Sequence, residues 1–215
     1  GLGDVYKRQV WGGEWTCGIG CAVSDRPEGP FKDCGMMFRS NGIKVQNSID
    51  PFYIEDNGHK YLFWGSFRGI YAIELSEDGL SLKSGSSPVQ IAGTAYEGTY
   101  IHKRGGYYYM FASIGSCCEG LKSTYTTVVG RSTSLFGPYL DKKGQSMMDN
   151  HHEILIHKND SFVGTGHNSE IVSDNAGTDW LFYHAVSVAN PDGRVLMLDK
   201  IDWIDGWPSV EGNSP

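Results

Sequence analysis

The stretch that decides the fold of this 215-residue chain runs Glu97-Gly98-Thr99-Tyr100-Ile101, turns at Gly105-Gly106 and returns as Tyr108-Tyr109-Met110-Phe111-Ala112-Ser113. An ungapped copy lies 47 residues earlier (Glu97 aligns with Asp50), running Asp50-Pro51-Phe52-Tyr53-Ile54, turning at Asn57-Gly58 and returning as Tyr61-Leu62-Phe63-Trp64-Gly65-Ser66. A third copy starts at His167-Asn168-Ser169-Glu170-Ile171 and returns as Trp180-Leu181-Phe182-Tyr183-His184. Short apolar runs joined by Gly and Asn turns predict β-hairpins, and their regular spacing predicts a repeat architecture.

A second repeat interleaves with the first. Ser24 is followed by Gly29-Pro30-Phe31, and Ser132 by Gly137-Pro138-Tyr139, 108 residues later (Ser24 to Ser132). A unit of about 50 residues that holds several short strands fits one blade of a β-propeller. About four such units fit between residues 10 and 207, and no amphipathic helix is evident. We therefore predict an all-β fold in which residues 10–215 form about four blades of a propeller.

Residues 1–9 stand apart from the repeats. The segment Asp4-Val5-Tyr6-Lys7-Arg8-Gln9 resembles the translation of a transposon end used to prepare sequencing libraries. We therefore treat residues 1–9 as a non-native scar and expect the natural protein to begin further upstream. The first blade is then largely missing, which exposes sheet edges, so we expect the chain alone to be poorly soluble.

Composition disfavours several classes of function. The formal net charge is −7, which argues against a groove that tracks nucleic-acid phosphates. No apolar run approaches the roughly 20 residues of a membrane-spanning helix, so we expect no membrane span. The five cysteines form no zinc pattern and argue against a disulfide framework. We interpret the adjacent Cys117 and Cys118 as buried thiols, with a redox pair as the alternative.

The repeat brings three ionisable residues into register, Asp50, Glu97 and His167. In a propeller the first strand of each blade lines a central channel, so equivalent positions converge at one mouth of it. Glycosidic cleavage needs an acid that protonates the departing oxygen, and a second carboxylate nearby favours the protonated form by like-charge repulsion. Glu97 and Asp50 are the candidate pair. The structural alternatives are a turn residue for Asp50 and a solvated strand-end charge for Glu97.

Several motifs resemble glycoside hydrolase family 43. They are Ser48-Ile49-Asp50-Pro51, Tyr96-Glu97-Gly98-Thr99 and Gly164-Thr165-Gly166-His167-Asn168. The arabinanase branch of the family is resembled by Phe111-Ala112-Ser113-Ile114-Gly115-Ser116-Cys117-Cys118, by Ser123-Thr124-Tyr125 and by Val129-Gly130-Arg131-Ser132. The likeness extends over nearly all of the chain outside the scar.

The resemblance implies a five-bladed propeller and hydrolysis with inversion by three carboxylates. By position, Glu97 matches the general acid, and Asp50 matches the carboxylate that orients the acid and adjusts its proton affinity. The general base of the family is an Asp early in the first blade, which has no counterpart here, so we expect this chain by itself to be inactive. His167 matches a histidine near a calcium or other ion in the channel, which makes calcium the candidate cofactor.

We expect the complete protein to cut α-L-arabinofuranosyl linkages within arabinan chains. Trp64 and Phe67 are candidates to stack on sugar rings, and Ser116 is a further candidate substrate contact. Such a substrate implies a secreted or periplasmic protein, which we expect to be a monomer. The alternatives are an exo-acting arabinofuranosidase or β-xylosidase of the same family, a carbohydrate-binding propeller without catalysis, and a repeat scaffold that binds protein.

Overall fold

The structure, a computed structural model, describes residues 13–215 and is built almost entirely of β-strands. The scar expected at residues 1–9 lies outside the described residues. The helical segments are single turns: α1 (Ser40–Ile43) and three 3-10 turns (Gly120–Lys122, Met147–Asp149 and Glu211–Asn213). The strands are β1 (Gly18–Val23), β2 (Lys32–Arg39), β3 (Phe52–Asp56), β4 (His59–Trp64), β5 (Ile70–Glu74), β6 (Val89–Ala92), β7 (Glu97–Arg104), β8 (Tyr107–Ile114), β9 (Thr126–Ser132), β10 (Glu153–Ile156), β11 (Phe162–Gly166), β12 (Ile171–Ser173), β13 (Asp179–Ser187), β14 (Arg194–Ile204) and β15 (Trp207–Ser209). The predicted all-β class is confirmed.

The described strands form four antiparallel sheets that follow one another along the chain. The first pairs β1 with β2, the second runs β3-β4-β5-β6, and the third runs β7-β8-β9-β10. In the last sheet, β11 and β12 both pair with β13, followed by β14 and β15. Apart from β11 and β12, consecutive strands are neighbours within each sheet. Short turns such as Asn57-Gly58 and Gly105-Gly106 join some of these pairs, with positive φ at all four residues.

Consecutive sheets pack face to face through three apolar cores. The alternation of side chains along a strand divides each sheet between two cores. In β8, for example, Tyr108 and Met110 point into the core shared with the preceding sheet, whereas Tyr109 and Phe111 point into the core shared with the following one. In β4, Phe63 and Trp64 divide in the same way. Sheets buried on both faces explain why the repeated strands are nearly continuous apolar runs.

Small antiparallel sheets stacked in sequence order make up a propeller, as predicted from the repeat. The four described sheets include one of only two strands, so a count of five blades stays an expectation from the family resemblance. Among residues 13–215 no helix is long and apolar enough to cross a membrane.

The strand register places several loops at one end of the sheets. Glu97 begins β7 and pairs with Ser113 near the end of β8, so the loop after β8 lies at the same end as Glu97. The β4–β5 loop, which carries Ser66, holds the matching place in the preceding sheet, beside Asp50. One prediction about the β8–β9 loop is wrong, since Cys117 and Cys118 are not buried thiols but are joined by a disulfide bond.

Candidate active site

Asp50, Glu97 and His167 converge as the repeat predicts. One side-chain ligand atom from each residue lies within 4.8 Å of those of the other two. Glu97 is buried, Asp50 is half-buried and His167 is exposed. Among the described residues, no Lys or Arg forms an ion pair with Glu97. Two carboxyl groups held together at such a point, with an imidazole beside them, form a candidate site for acid–base chemistry.

The backbone at these three positions is unusual. Asp50 and His167 have φ values of +54° and +48°, which non-glycine residues rarely adopt, and Gly98 has +60°. A Cβ atom at position 98 would lie 3.1 Å from Nδ1 of His167, so glycine permits the close approach of that imidazole. Strained conformations of this kind persist where the surrounding structure fixes them, often at functional sites.

In two of the repeats, the serine that ends the hairpin forms a hydrogen bond with the site residue that begins the next repeat. Ser66 Oγ donates to Glu97 Oε2 at 2.7 Å, and Ser113 Oγ accepts the backbone N–H of His167 at 2.8 Å. Ser66 and Ser113 are themselves repeat equivalents, 47 residues apart (113 minus 66). The repeat therefore positions the hydroxyl groups that support the site as well as the ionisable residues in it.

Tyr125 is the second hydroxyl group on Glu97. Its phenol donates to Glu97 Oε1 at 2.5 Å, and its ring stacks on His184 with centroids 5.6 Å apart and an interplanar angle of 19°. Gly166 leaves room for the Tyr125 ring, since a Cβ atom at this position would lie only 2.3 Å from Tyr125 Cδ1. Burial, followed by the nearby charges of Arg194 and His167, lowers the pKa of His184 to about 4, so the stacked imidazole is neutral at neutral pH.

The site opens into a cavity of about 660 Å³ that Asp50, Gly98, Thr99, His167 and Asn168 help to line. The buried oxygens Thr99 Oγ1 and Asn168 Oδ1 lack a hydrogen-bond partner among the described residues. Buried polar atoms normally have a partner, so these oxygens suit water or a cation. Carboxylate, amide and hydroxyl oxygens are the donors that Ca²⁺ prefers, and the donor set therefore fits such an ion.

The three predicted substrate contacts differ in outcome. Trp64 as a sugar-stacking residue is wrong: its side chain is 0 % exposed and its indole Nε1 donates to Ser48 Oγ at 3.0 Å, inside a core. Phe67 is half-buried with φ +52°, directly after Ser66, and stays a prediction. Ser116 is half-buried in the β8–β9 loop and likewise stays a prediction.

Sequence reasoning missed Ser66 and Tyr125 as partners of Glu97. Ser66 could have been found, because it ends the same repeated hairpin that Asp50 begins. Tyr125 had a weaker signal. It lies in one of the stretches that resemble the arabinanases, but its contact with Glu97 depends on the course of the β8–β9 loop.

A propeller with paired carboxylates at one channel mouth defines a candidate glycoside hydrolase. Residues 5–208 match the family model for Glycosyl hydrolases family 43, and the chain belongs to this family. It is 37 % identical over 206 residues to the extracellular endo-α-(1→5)-L-arabinanase 1 of Bacillus subtilis, covering 92 % of this chain and 61 % of the relative. It is 34 % identical over 237 residues to the extracellular exo-α-(1→5)-L-arabinofuranosidase ArbA of Cellvibrio japonicus, covering 98 % and 67 %.

Solved structures agree with this membership. The α-L-arabinanase of Cellvibrio cellulosa complexed with arabinohexaose superposes with a TM-score of 0.84 at 30 % identity, over 98 % of this chain and 76 % of that one. The Bacillus licheniformis family 43 endo-arabinanase superposes with a TM-score of 0.81 at 34 % identity, over 93 % and 69 %. The chain thus spans roughly two thirds of the length of these relatives.

Proposed function

We propose that the full-length protein is a glycosidase that cleaves α-L-arabinofuranosyl linkages within arabinan, with Glu97 as general acid. The observation that carries the proposal is the buried Glu97 carboxyl within 4.8 Å of Asp50, which helps to line the cavity. The relatives named above support arabinan as the substrate. An exo-acting arabinofuranosidase is the alternative, because the named relatives include both modes of action.

The proposed reaction moves one proton at each end of the broken bond. Glu97 gives its proton to the departing glycosidic oxygen as the bond from the anomeric carbon breaks, while water attacks that carbon and loses a proton to a base. Inverting enzymes hold acid and base about 6.5–9.5 Å apart to leave room for the water. Asp50 lies too close to Glu97 for that role, so we assign the base to an Asp upstream of the described residues. Asp50 then orients the acid from within 4.8 Å.

A cation in the cavity is a further part of the proposal. His167 and Asn168 would hold it, with Ca²⁺ as the candidate because of its preference for oxygen ligands. Such an ion would add positive charge to the channel mouth when bound. Chelation with EDTA should lower the melting temperature of the full-length protein, and added Ca²⁺ should restore it. An unchanged melting temperature would count against the site.

The proposed cellular location of the protein follows from its proposed substrate. Arabinan is met outside the cytoplasm, and the two curated relatives named above are extracellular. We therefore propose a secreted or periplasmic protein.

Product analysis tests the proposal. The full-length protein is incubated with linear arabinan, with arabinoxylan and an aryl α-L-arabinofuranoside alongside, and the first products are separated by chromatography and their anomers read by NMR. Short arabino-oligosaccharides with inverted configuration are expected. Arabinose alone would favour the exo-acting alternative, and retained configuration would make Asp50 a nucleophile. Binding without any product would favour a non-catalytic propeller.

A further inference from the structure

Both carboxyl oxygens of Glu97 are bound by hydroxyl groups from different parts of the fold. Ser66, in the β4–β5 loop, is bonded to Oε2, and Tyr125, just before β9, is bonded to Oε1. The two residues are 2 % and 1 % exposed. A carboxyl held at both oxygens cannot rotate, and a general acid must hold its proton in line with the departing oxygen.

The hydrogen of the Tyr125 phenol is committed to Glu97. Burial, then the charge of Glu97, raises the pKa of Tyr125, so the phenol keeps its hydrogen. Ser113 works against this rise in the pKa of Tyr125, but burial and the charge of Glu97 outweigh it. Because the phenol keeps its hydrogen and Glu97 Oε1 is the acceptor it reaches, Tyr125 donates to Oε1 throughout.

The Ser66 hydroxyl has no such constraint on its hydrogen. Its backbone is fixed, since Asn47 Nδ2 donates to Ser66 O at 2.9 Å and the preceding Gly65 N–H donates to Ile49 O at 3.0 Å. A serine hydroxyl, however, both donates and accepts, and it turns about its C–O bond. Ser66 can therefore donate to an ionised Glu97 and accept from a protonated one.

We propose that Glu97 carries its transferable proton on Oε2, and that Tyr125 and Ser66 are positioning residues with unequal parts. Tyr125 is a permanent donor that keeps Oε1 unprotonated, and Ser66 is a reversible partner that accommodates Oε2 in both states. This assignment rests on the proposed function of Glu97 as general acid. The other titratable groups around the carboxyl are Asp50, His167 and, behind Tyr125, His184.

Two substitutions in the full-length protein test the assignment, Tyr125→Phe and Ser66→Ala. On linear arabinan, each should lower kcat about tenfold or more with KM changed less than about threefold, because the acid is misplaced and the sugar contacts remain. Only Tyr125→Phe should move the alkaline limb of the pH–kcat profile, to higher pH, because it removes a donor that favours the ionised carboxylate. Ser66→Ala removes a partner of both states and should leave the limb in place.

Matched controls separate positioning from folding. Tyr183→Phe also deletes a buried tyrosine hydroxyl that donates to a carboxylate, that of Asp199, and should leave both kcat and the limb unchanged. Ser132→Ala is the equivalent control for a buried serine. If Tyr125→Phe fails to fold, Gly166→Ala gives a second route, since its Cβ would displace the Tyr125 ring. Gly193→Ala, where a Cβ meets nothing within 4 Å, is its control.

The outcomes are distinct. A limb shift in Ser66→Ala as large as that in Tyr125→Phe would show that both hydroxyl groups favour the ionised carboxylate equally, which would overturn the assignment, as would unchanged kcat in both variants. If the wild-type protein cleaves an aryl glycoside or arabinoxylan but not arabinan, the proposed substrate is wrong, and the same profiles on the cleaved substrate decide the assignment. If it cleaves none of them, both proposals are wrong.

Discussion

The strands β3 and β7, which begin two successive sheets, carry ionisable residues at equivalent positions near both of their ends. The two ends differ in whether these residues have a partner of opposite charge. At the cavity end, Asp50 and Glu97 bring two carboxyl groups within 4.8 Å of each other. Six residues further on (50 to 56 and 97 to 103), Asp56 and Lys103 occupy the matching positions and form an ion pair between β3 and β7. Tyr108 adds a hydrogen bond to Asp56 at 2.8 Å.

The far end repeats this neutralisation between the next two sheets. Arg104 pairs with Asp179 at 2.9 Å, and Trp203 Nε1 donates to the same aspartate at 2.7 Å. Burial alone would raise the pKa of Asp179, but hydrogen bonds from Ser173 and Trp203 and the charge of Arg104 outweigh burial and lower it. Opposite charges therefore join adjacent sheets at one end, whereas two carboxyl groups meet at the other. We infer that the ion-paired end of these strands stabilises the fold, whereas the carboxyl end carries the chemistry.

The largest expected effect in this comparison is at Asp50. Asp50→Asn removes the carboxylate that lies within 4.8 Å of Glu97, so the acid loses the neighbour that we propose orients it. We expect hydrolysis of arabinan by the full-length protein to fall on the order of 10²-fold. Asp160→Asn, the same change on an exposed loop, is the control. A rate within about threefold of the wild type would remove Asp50 from its proposed role.

A smaller effect, on stability alone, is expected at Asp56. Asp56→Asn deletes the ion pair with Lys103 and weakens the bond from Tyr108, which should lower the free energy of unfolding by about 2 kcal/mol. Urea denaturation measures this change, and the hydrolysis rate per folded molecule should stay unchanged. Asp202→Asn breaks the Lys200 pair, whose side chains are 54 % and 52 % exposed, and should cost less than about 0.5 kcal/mol. Equal losses in the two variants would contradict the structural role of Asp56.

The smallest effect is the pH dependence of stability. Burial raises the pKa of Asp56, yet the hydrogen bonds from Lys103 and Tyr108 outweigh burial and lower it below the ordinary value of 3.8. A lowered native pKa stabilises the fold above the unfolded value, and this stabilisation is lost as pH falls through the native pKa. The free energy of unfolding should therefore decline below about pH 4, and less steeply in Asp56→Asn. Identical slopes for the two proteins would contradict the assignment.

The sequence predicts most of this arrangement because the repeat encodes it. Equivalent positions of a repeat converge in space, so the alignment of Asp50, Glu97 and His167 predicts their meeting at one point. Trp64 was misjudged because an aromatic residue in a repeated strand looks the same whether its face is buried or open, and here both faces of the sheet are buried. Tyr125 and the Cys117–Cys118 bond could not be predicted, because both depend on a loop whose course the repeat does not determine.

The contrast within β7 offers the most direct test, since Glu97 and Lys103 begin and nearly end the same strand. The measurement is the initial rate of linear arabinan hydrolysis, per folded molecule, for full-length Glu97→Gln and Lys103→Gln against the wild type. We expect Glu97→Gln to lose about 10²- to 10⁴-fold with its melting temperature unchanged. Lys103→Gln should stay within about twofold in rate and melt earlier. A Glu97→Gln rate within threefold of the wild type would contradict the assignment of Glu97 as the general acid.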